Sequence, residues 1–291
     1  MSLLKESLLE TLLSFKDFSR RFVRHKFAVL SVCIVFGLAL LAVFADIISP
    51  YPPLEQDLLH RYAAPNVLHL FGTDRFGRDI LSRIIYGART SFYVGFSVVA
   101  ICLLMGVTVG CVSGYFGGMP DELLMRTVDV FLVLPTFFLV LVAVALFGSS
   151  LFNVVIIIGV TSWPTIARLI RAEFLSLRER DFVKAAIVSR ASRSYIIFRE
   201  ILPNAMYSTV VQSTLEIGSA ILTEAALSFL GLGDPRIVSW GQMLNDAMYG
   251  LGQAWWDPLF PGLFIGILVL AFNVIGDGIN DALNPYLREL K

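Results

Sequence analysis

Apolar runs long enough to cross a bilayer alternate with short polar stretches along this chain. A hydrocarbon core of about 30 Å takes roughly 20 helical residues to span. Six runs have the length and character for it: Phe27–Ile48, Arg89–Tyr115, Thr127–Phe147, Phe152–Phe174, Tyr207–Leu232 and Leu259–Leu283. They predict an all-α integral membrane protein with six transmembrane helices. Lys and Arg gather on the cytoplasmic side of such proteins. With the N-terminus inside, all but six of the 23 basic residues fall on that side; the exceptions are Arg61, Arg75, Arg78, Arg83, Arg89 and Arg236. Both termini are therefore expected in the cytoplasm.

Residues 1–26 carry Leu3, Leu4, Leu8, Leu9, Leu12, Leu13 and Phe15 at helical spacing, as in an amphipathic helix lying on the inner membrane face. The first span, 27–48, leads into an extracytoplasmic segment, 49–88. Pro50, Pro52 and Pro53 favour extended backbone there. Asp79 to Tyr86 then alternates at helical spacing, which predicts a short surface helix ahead of the second span. Two readings of this segment stand open. One is an interfacial helix with snorkelling arginines. The other is a brace on the outer end of the bundle, with Gly72 and Gly77 in tight turns and Asp74 and Asp79 paired with Arg75, Arg78 or Arg83. Residues 89–283 make a five-helix core that includes an inner loop, 175–206, and 284–291 form a cytoplasmic tail.

Composition supports the membrane reading. At 56% hydrophobic residues and a mean hydropathy of +0.75, 291 residues hold more apolar surface than one soluble core can bury. A formal net charge of zero, with no basic soluble domain, gives no case for nucleic acid. Cys33, Cys102 and Cys111 all lie in apolar spans without any Cys/His ligand spacing, and are expected as small buried hydrophobes. No metal or cofactor site is expected. None of the five lysines follows a glycine, so there is no Walker A sequence, and no nucleophile–base arrangement is visible.

Ionisable groups within spans are costly and call for a use. Glu216 and Glu224 stand two helical turns apart in the fifth span, among small residues that include Ser219 and Ser228. Small residues let membrane helices approach closely. Two uses are open: these four residues line a central path between two subunits, or the carboxylates are bonded into helix contacts. Asp277 and Asp281, near the inner end of the last span, are expected to meet arginines of the inner loop. Pro135 and Pro164 are expected as kinks. Trp240, Trp255 and Trp256 are expected as interface anchors.

The inner loop holds the most informative stretch, Asp181–Asn204. It is too rich in Arg for lipid, yet has the make-up of two short helices. Asp181 is placed to cap the first, which would run through Ser189, and Ser192 or Ser194 the second, which would end at Pro203. Helices this short do not persist alone in water. They need something to dock on.

Ala185-Ala186, Ala191-Ser192 and Ile201-Leu202-Pro203 resemble the "EAA" loop of bacterial ABC importer permeases. FGTDRFGRDILSRIIYGARTS, EAALSFLGLGDPRIVSWGQML, WWDPLFPG and AFNVIGDGINDALNP stand in this order along the chain, the first ahead of that loop and the others after it, and resemble the second permease subunit of the dipeptide/oligopeptide/nickel branch. The likeness extends over about residues 20–288. It implies the type I ABC importer permease fold in a cytoplasmic (inner) membrane. It also implies a second homologous permease subunit, cytoplasmic ATPase subunits that carry ATP and Mg, and an extracytoplasmic solute-binding protein. The first loop helix would be a coupling helix seated in the ATPase, with Asp181, Lys184, Ala185, Ala186, Arg190, Ala191, Ser192 and Pro203 marking the docking loop. Two positions depart from the family pattern: Lys184 replaces the usual Glu and Arg190 the usual Gly. Short peptides are the substrate the resemblance favours, with nickel chelates or oligosaccharides as the alternative.

Overall fold

A computed structural model describes residues 19–283, so the expected amphipathic helix at the start of the chain and the tail beyond Leu283 lie outside the described residues. The longer helices are α1 (Lys26–Val43), α2 (Ile80–Phe116), α3 (Gly118–Val133), α4 (Thr136–Phe147), α5 (Leu151–Leu177), α6 (Asp181–Val188), α7 (Leu202–Phe229), α8 (Trp240–Ala247) and α9 (Trp256–Leu283).

Four of these are long and apolar enough to cross a membrane: α1, α2, α5 and α9. The expected third span is broken instead. α3 and α4 meet at an angle of 86°, around Leu134 and Pro135, whose extended backbone (ψ 135° and 109°) interrupts the helix. Counting that pair as one span makes five. The expected fifth span, within α7, is a continuous 28-residue helix, but it falls short of the same apolarity. The reason lies in its sequence: Gln212, Glu216, Glu224 and a series of Ser and Thr interrupt the apolar residues. Six crossings are therefore not reached on length and composition. Pro164, by contrast, sits inside α5 without ending it.

Two apolar cores hold the bundle. One joins α2, α3, α4, α5, α6 and α7 around Val98, Ile166, Ile170 and Phe174. The other joins α1, the outer part of α2, α7, α8 and α9 around Ile80, Ile221, Trp240 and Leu268. α2 belongs to both. It meets α5 along a glycine row: a β-carbon added at Gly106 would lie 2.8 Å from Ile166 Cβ, at Gly110 2.6 Å from the Ala167 carbonyl oxygen, and at Gly114 2.5 Å from Phe174 Cβ. Only glycine permits that approach, the small-xxx-small contact of membrane helices.

The expected surface helix before the second span is the first turns of α2 itself. Asp79 caps it by accepting from the Ser82 amide at 2.8 Å, and its other oxygen lies 3.0 Å from His69 Nδ1. Gly72 and Gly77 take left-handed turns at φ +78° and +74°. The segment is a brace, not a row of snorkelling arginines. Arg78 and Arg83 both donate to Asp74 (2.6 and 2.5 Å), and Arg75 and Arg78 both donate to Asp246 of α8 (2.8 and 2.6 Å). Asp74, Arg78, Arg83 and Asp246 are all buried. Two of the expected interface tryptophans also turn inward. Trp240 Nε1 donates to the Ile84 carbonyl (3.0 Å) and Trp256 Nε1 to that of Thr73 (3.2 Å), which leaves Trp255 as the exposed one. Cys102 and Cys111 are buried as expected, whereas Cys33 is exposed on α1.

Candidate functional site

The inner loop is built as a hydrogen-bonded elbow followed by a capped helix. α5 ends at Leu177, and the amides of Arg178 and Arg180 donate back to Phe174 and Leu177, each at 3.0 Å. α6 then begins at Asp181. Its N-cap residue is Arg180, which makes no side-chain cap, so Asp181 is not the cap expected from sequence. It stands in the first turn, where a negative charge suits the helix dipole.

The C-terminal end is better secured. The Ala191 amide donates to the Ala186 carbonyl and the Arg190 amide to the Ile187 carbonyl, each at 3.0 Å. This pair of bonds is the Schellman ending, which needs a left-handed residue at the position after the cap. Arg190 holds that position at φ +56°. Elsewhere glycine takes this conformation at no steric cost, whereas a side chain costs roughly 1–2 kcal/mol.

Ser192, rather than Ser194, caps the next piece, its Oγ accepting from the Tyr195 amide at 3.2 Å. The expected second helix does not end at Pro203. Arg193–Tyr195 passes into a π-helical turn, Ile196–Ile201, and then directly into α7, with Pro203 near its start. Proline has no N–H and crowds the turn before it, which a wider turn accommodates.

The docking residues predicted from sequence fall into two groups. Ala186 and Ala191 pack against the first of the two cores together with buried Val183. Asp181, Lys184, Ala185, Arg190, Ser192 and Pro203 are exposed. Between the exposed polar residues stand Phe182, Ile187 and Val188, the last 83% exposed. Lys184 Nζ lies 4.0 Å from Glu179, whose carboxylate also lies 3.5 Å from Arg178. The structure thus shows a short helix with three exposed apolar side chains among mainly basic neighbours.

The four residues considered for a path do not share one exposed face. Glu216, Glu224 and Ser228 are buried inside the chain's own bundle, with Ser228 Oγ donating to Glu224 Oε1 at 2.6 Å, while Ser219 and Leu222 are exposed. Asp281 lies 3.9 Å from His25, and neither it nor Asp277 pairs with an inner-loop arginine among the described residues. Sequence reasoning missed Asp121, Arg171 and Asp246. Each is an acid or base whose partner is distant along the chain, so local spacing carries no sign of it.

Comparison with known proteins decides the family. Residues 106–289 match the family described as "Binding-protein-dependent transport system inner membrane component". The chain belongs to that family. Residues 14–65 match the "N-terminal TM domain of oligopeptide transport permease C", which accounts for α1 ahead of the permease core. The permease is 42% identical over 266 residues to the dipeptide transport system permease protein DppC of Alkalihalophilus pseudofirmus, covering 91% of this chain and 88% of that one. It is 39% identical over 275 residues to the oligopeptide transport system permease protein OppC of Bacillus subtilis, covering 94% and 90%. Its fold is shared with a chain of the inward-facing MetNI methionine ABC transporter, with a TM-score of 0.57 at 17% identity, over 69% of this chain and 97% of that one. The type I importer permease fold is thus present, and the chain is a multi-pass membrane transport subunit.

Proposed function

We propose that this permease forms, with a second homologous permease, the path by which short peptides enter the cell, driven by ATP hydrolysis on separate cytoplasmic ATPase subunits. The relatives named for dipeptide and oligopeptide transport support the substrate class. One observation carries the coupling role: α6 exposes Phe182, Ile187 and Val188 from a short helix that its own Schellman ending and the Val183 anchor hold in place. An eight-residue helix with its apolar side chains in water is built to be covered. Its cover is an ATPase groove. The surrounding Arg178, Arg180, Lys184, Arg190 and Arg193 call for acidic residues around that groove.

In this arrangement both termini are cytoplasmic, an extracytoplasmic binding protein delivers substrate to the outer loops, and ATP and Mg belong to the partner subunits. Catalysis is no part of this chain's role. Exposed Ser219 belongs to the face of α7 that lines the path, while Glu216, Glu224 and Ser228 support that helix from within.

Ala185→Glu tests the docking role, because Ala185 is exposed and the substitution touches only the partner. The variant is expected in the membrane at normal levels, with ATPase subunits lost on purification and peptide uptake abolished. Normal uptake would sink the assignment.

A further inference from the structure

At the inner end of the bundle, Asp121 of α3 joins three helices. Arg171 of α5 donates to both its oxygens, Nε to Oδ1 at 2.6 Å and Nη2 to Oδ2 at 2.7 Å, and Ser113 of α2 bonds to it as well. The two parallel bonds are the fork geometry that makes Arg–carboxylate pairs both strong and directional. The pair is partly sheltered, its side chains 31% and 16% exposed. One turn along α5, Gly114 brings α2 against Phe174 and Arg171 so closely that no β-carbon fits between them. Arg178, at the elbow before α6, donates to the Gly114 carbonyl at 3.4 Å. The residues that the α5 side contributes, Arg171, Phe174 and Arg178, all lie within ten residues of the start of α6.

We propose that Asp121 and Arg171 are positioning residues of the transport cycle. They clamp the inner end of α5 to α2 and α3, so that a push on α6 moves α2 and is not lost in flexing α5 against its neighbours. α2 is one continuous helix of 37 residues, roughly 55 Å at 1.5 Å per residue. Its outer turns hold Arg83, which donates to Asp74 and lies 3.4 Å from Asp246 of α8. The glycine row keeps α2 and α5 in register between those ends. Movement at the inner loop is thereby delivered to the outer brace.

The inference rests on α6 being the docking helix, and the two fail differently. Unimpaired ATPase retention in Ala185→Glu would remove the docking reading. Failure of the clamp alone would leave retention sensitive to that substitution, with uptake per ATP unaffected by the clamp variants.

The test uses the whole transporter in proteoliposomes, with a labelled dipeptide supplied through its binding protein. Asp121→Asn and Arg171→Gln are each expected to keep the ATPases bound while peptide taken up per ATP hydrolysed falls about fivefold or more, the lower range of coupling between sites. The double variant should be no worse than either single, because both remove one unit. A wild-type ratio in either single, losses that multiply in the double, or loss of the ATPases would each overturn the proposal. Should the neutral variants fail to reach the membrane, Arg171→Lys decides: it keeps the charge but not the fork. Reduced uptake per ATP at full assembly upholds the clamp, and a wild-type ratio overturns it.

Discussion

The amide of Ala191 donates to the carbonyl of Ala186 at 3.0 Å, and the chain between them turns through Arg190 at φ +56°. Helix α6 is thus ended by a residue in a conformation glycine would take more easily. Arg190→Gly should relieve that strain by roughly 1 kcal/mol and keep both ATPase binding and uptake. Thermal melting of the assembled complex, with ATPase retention measured alongside, checks this. Loss of the ATPase in the variant would show instead that the Arg190 side chain itself holds the partner.

Asp246 receives Arg75, Arg78 and, more distantly, Arg83 in a buried site. Removing one side of such a cluster leaves charge without its counterpart, a loss of about 3–5 kcal/mol in buried pairs. Asp246→Asn should therefore lower the unfolding midpoint of the detergent-solubilised protein by several degrees. Trp240 and Trp256 lie in the core beside this brace and serve as fluorescent reporters. An unchanged midpoint would mean that the brace adds nothing to stability.

The outer loop also carries an acid-sensitive tie. Bonded by the Arg236 guanidinium, Asp234 is held below the usual carboxylate range, against an opposing effect of burial; it also accepts from the Leu151 amide at 3.4 Å. A depressed carboxyl stabilises the fold at pH values above its unfolded pKa of about 3.9, and the contribution disappears as pH falls through the folded value. Stability from this tie should stay level between about pH 7 and 5 and fall only below about pH 4. Asp234→Asn should be less stable than wild type at neutral pH, with the gap closing in acid. A gap that stays constant down to about pH 3 would contradict the assignment.

Much of this architecture can be read from the chain because its causes are local. The apolar runs give α1, α2, α5 and α9, and Pro135 marks the break between α3 and α4. Gly72, Gly77 and the alternation of Asp and Arg allow the brace as one of two readings, and the contacts to Asp74 and Asp246 decide for it. What stays hidden depends on distant partners. Asp246 meets Arg75 across 171 positions, and Arg171 meets Asp121 across 50. The direction of Glu216 and Glu224 was equally undetermined, because small residues on both sides of α7 leave its buried face unmarked. Trp240 and Trp256 carry the chemistry of interface anchors, yet carbonyls at Ile84 and Thr73 draw their N–H groups inward. In the loop that holds α6, the resemblance located the helix and the unusual Arg190, while the exposed Phe182, Ile187 and Val188 became apparent only from the packing.

The proposed contact between α6 and an ATPase subunit can be measured by cross-linking. Val188→Cys in a Cys33→Ser background places one accessible thiol on α6, since Cys102 and Cys111 are buried. Treating the assembled transporter with a short reagent that carries a maleimide for this thiol and an N-hydroxysuccinimide ester for nearby lysine amines should join this chain to the ATPase subunit, and ATP should change the yield. A cysteine that a water-soluble maleimide labels freely in the assembled complex, with no adduct to the ATPase, would show that α6 is not the docking helix.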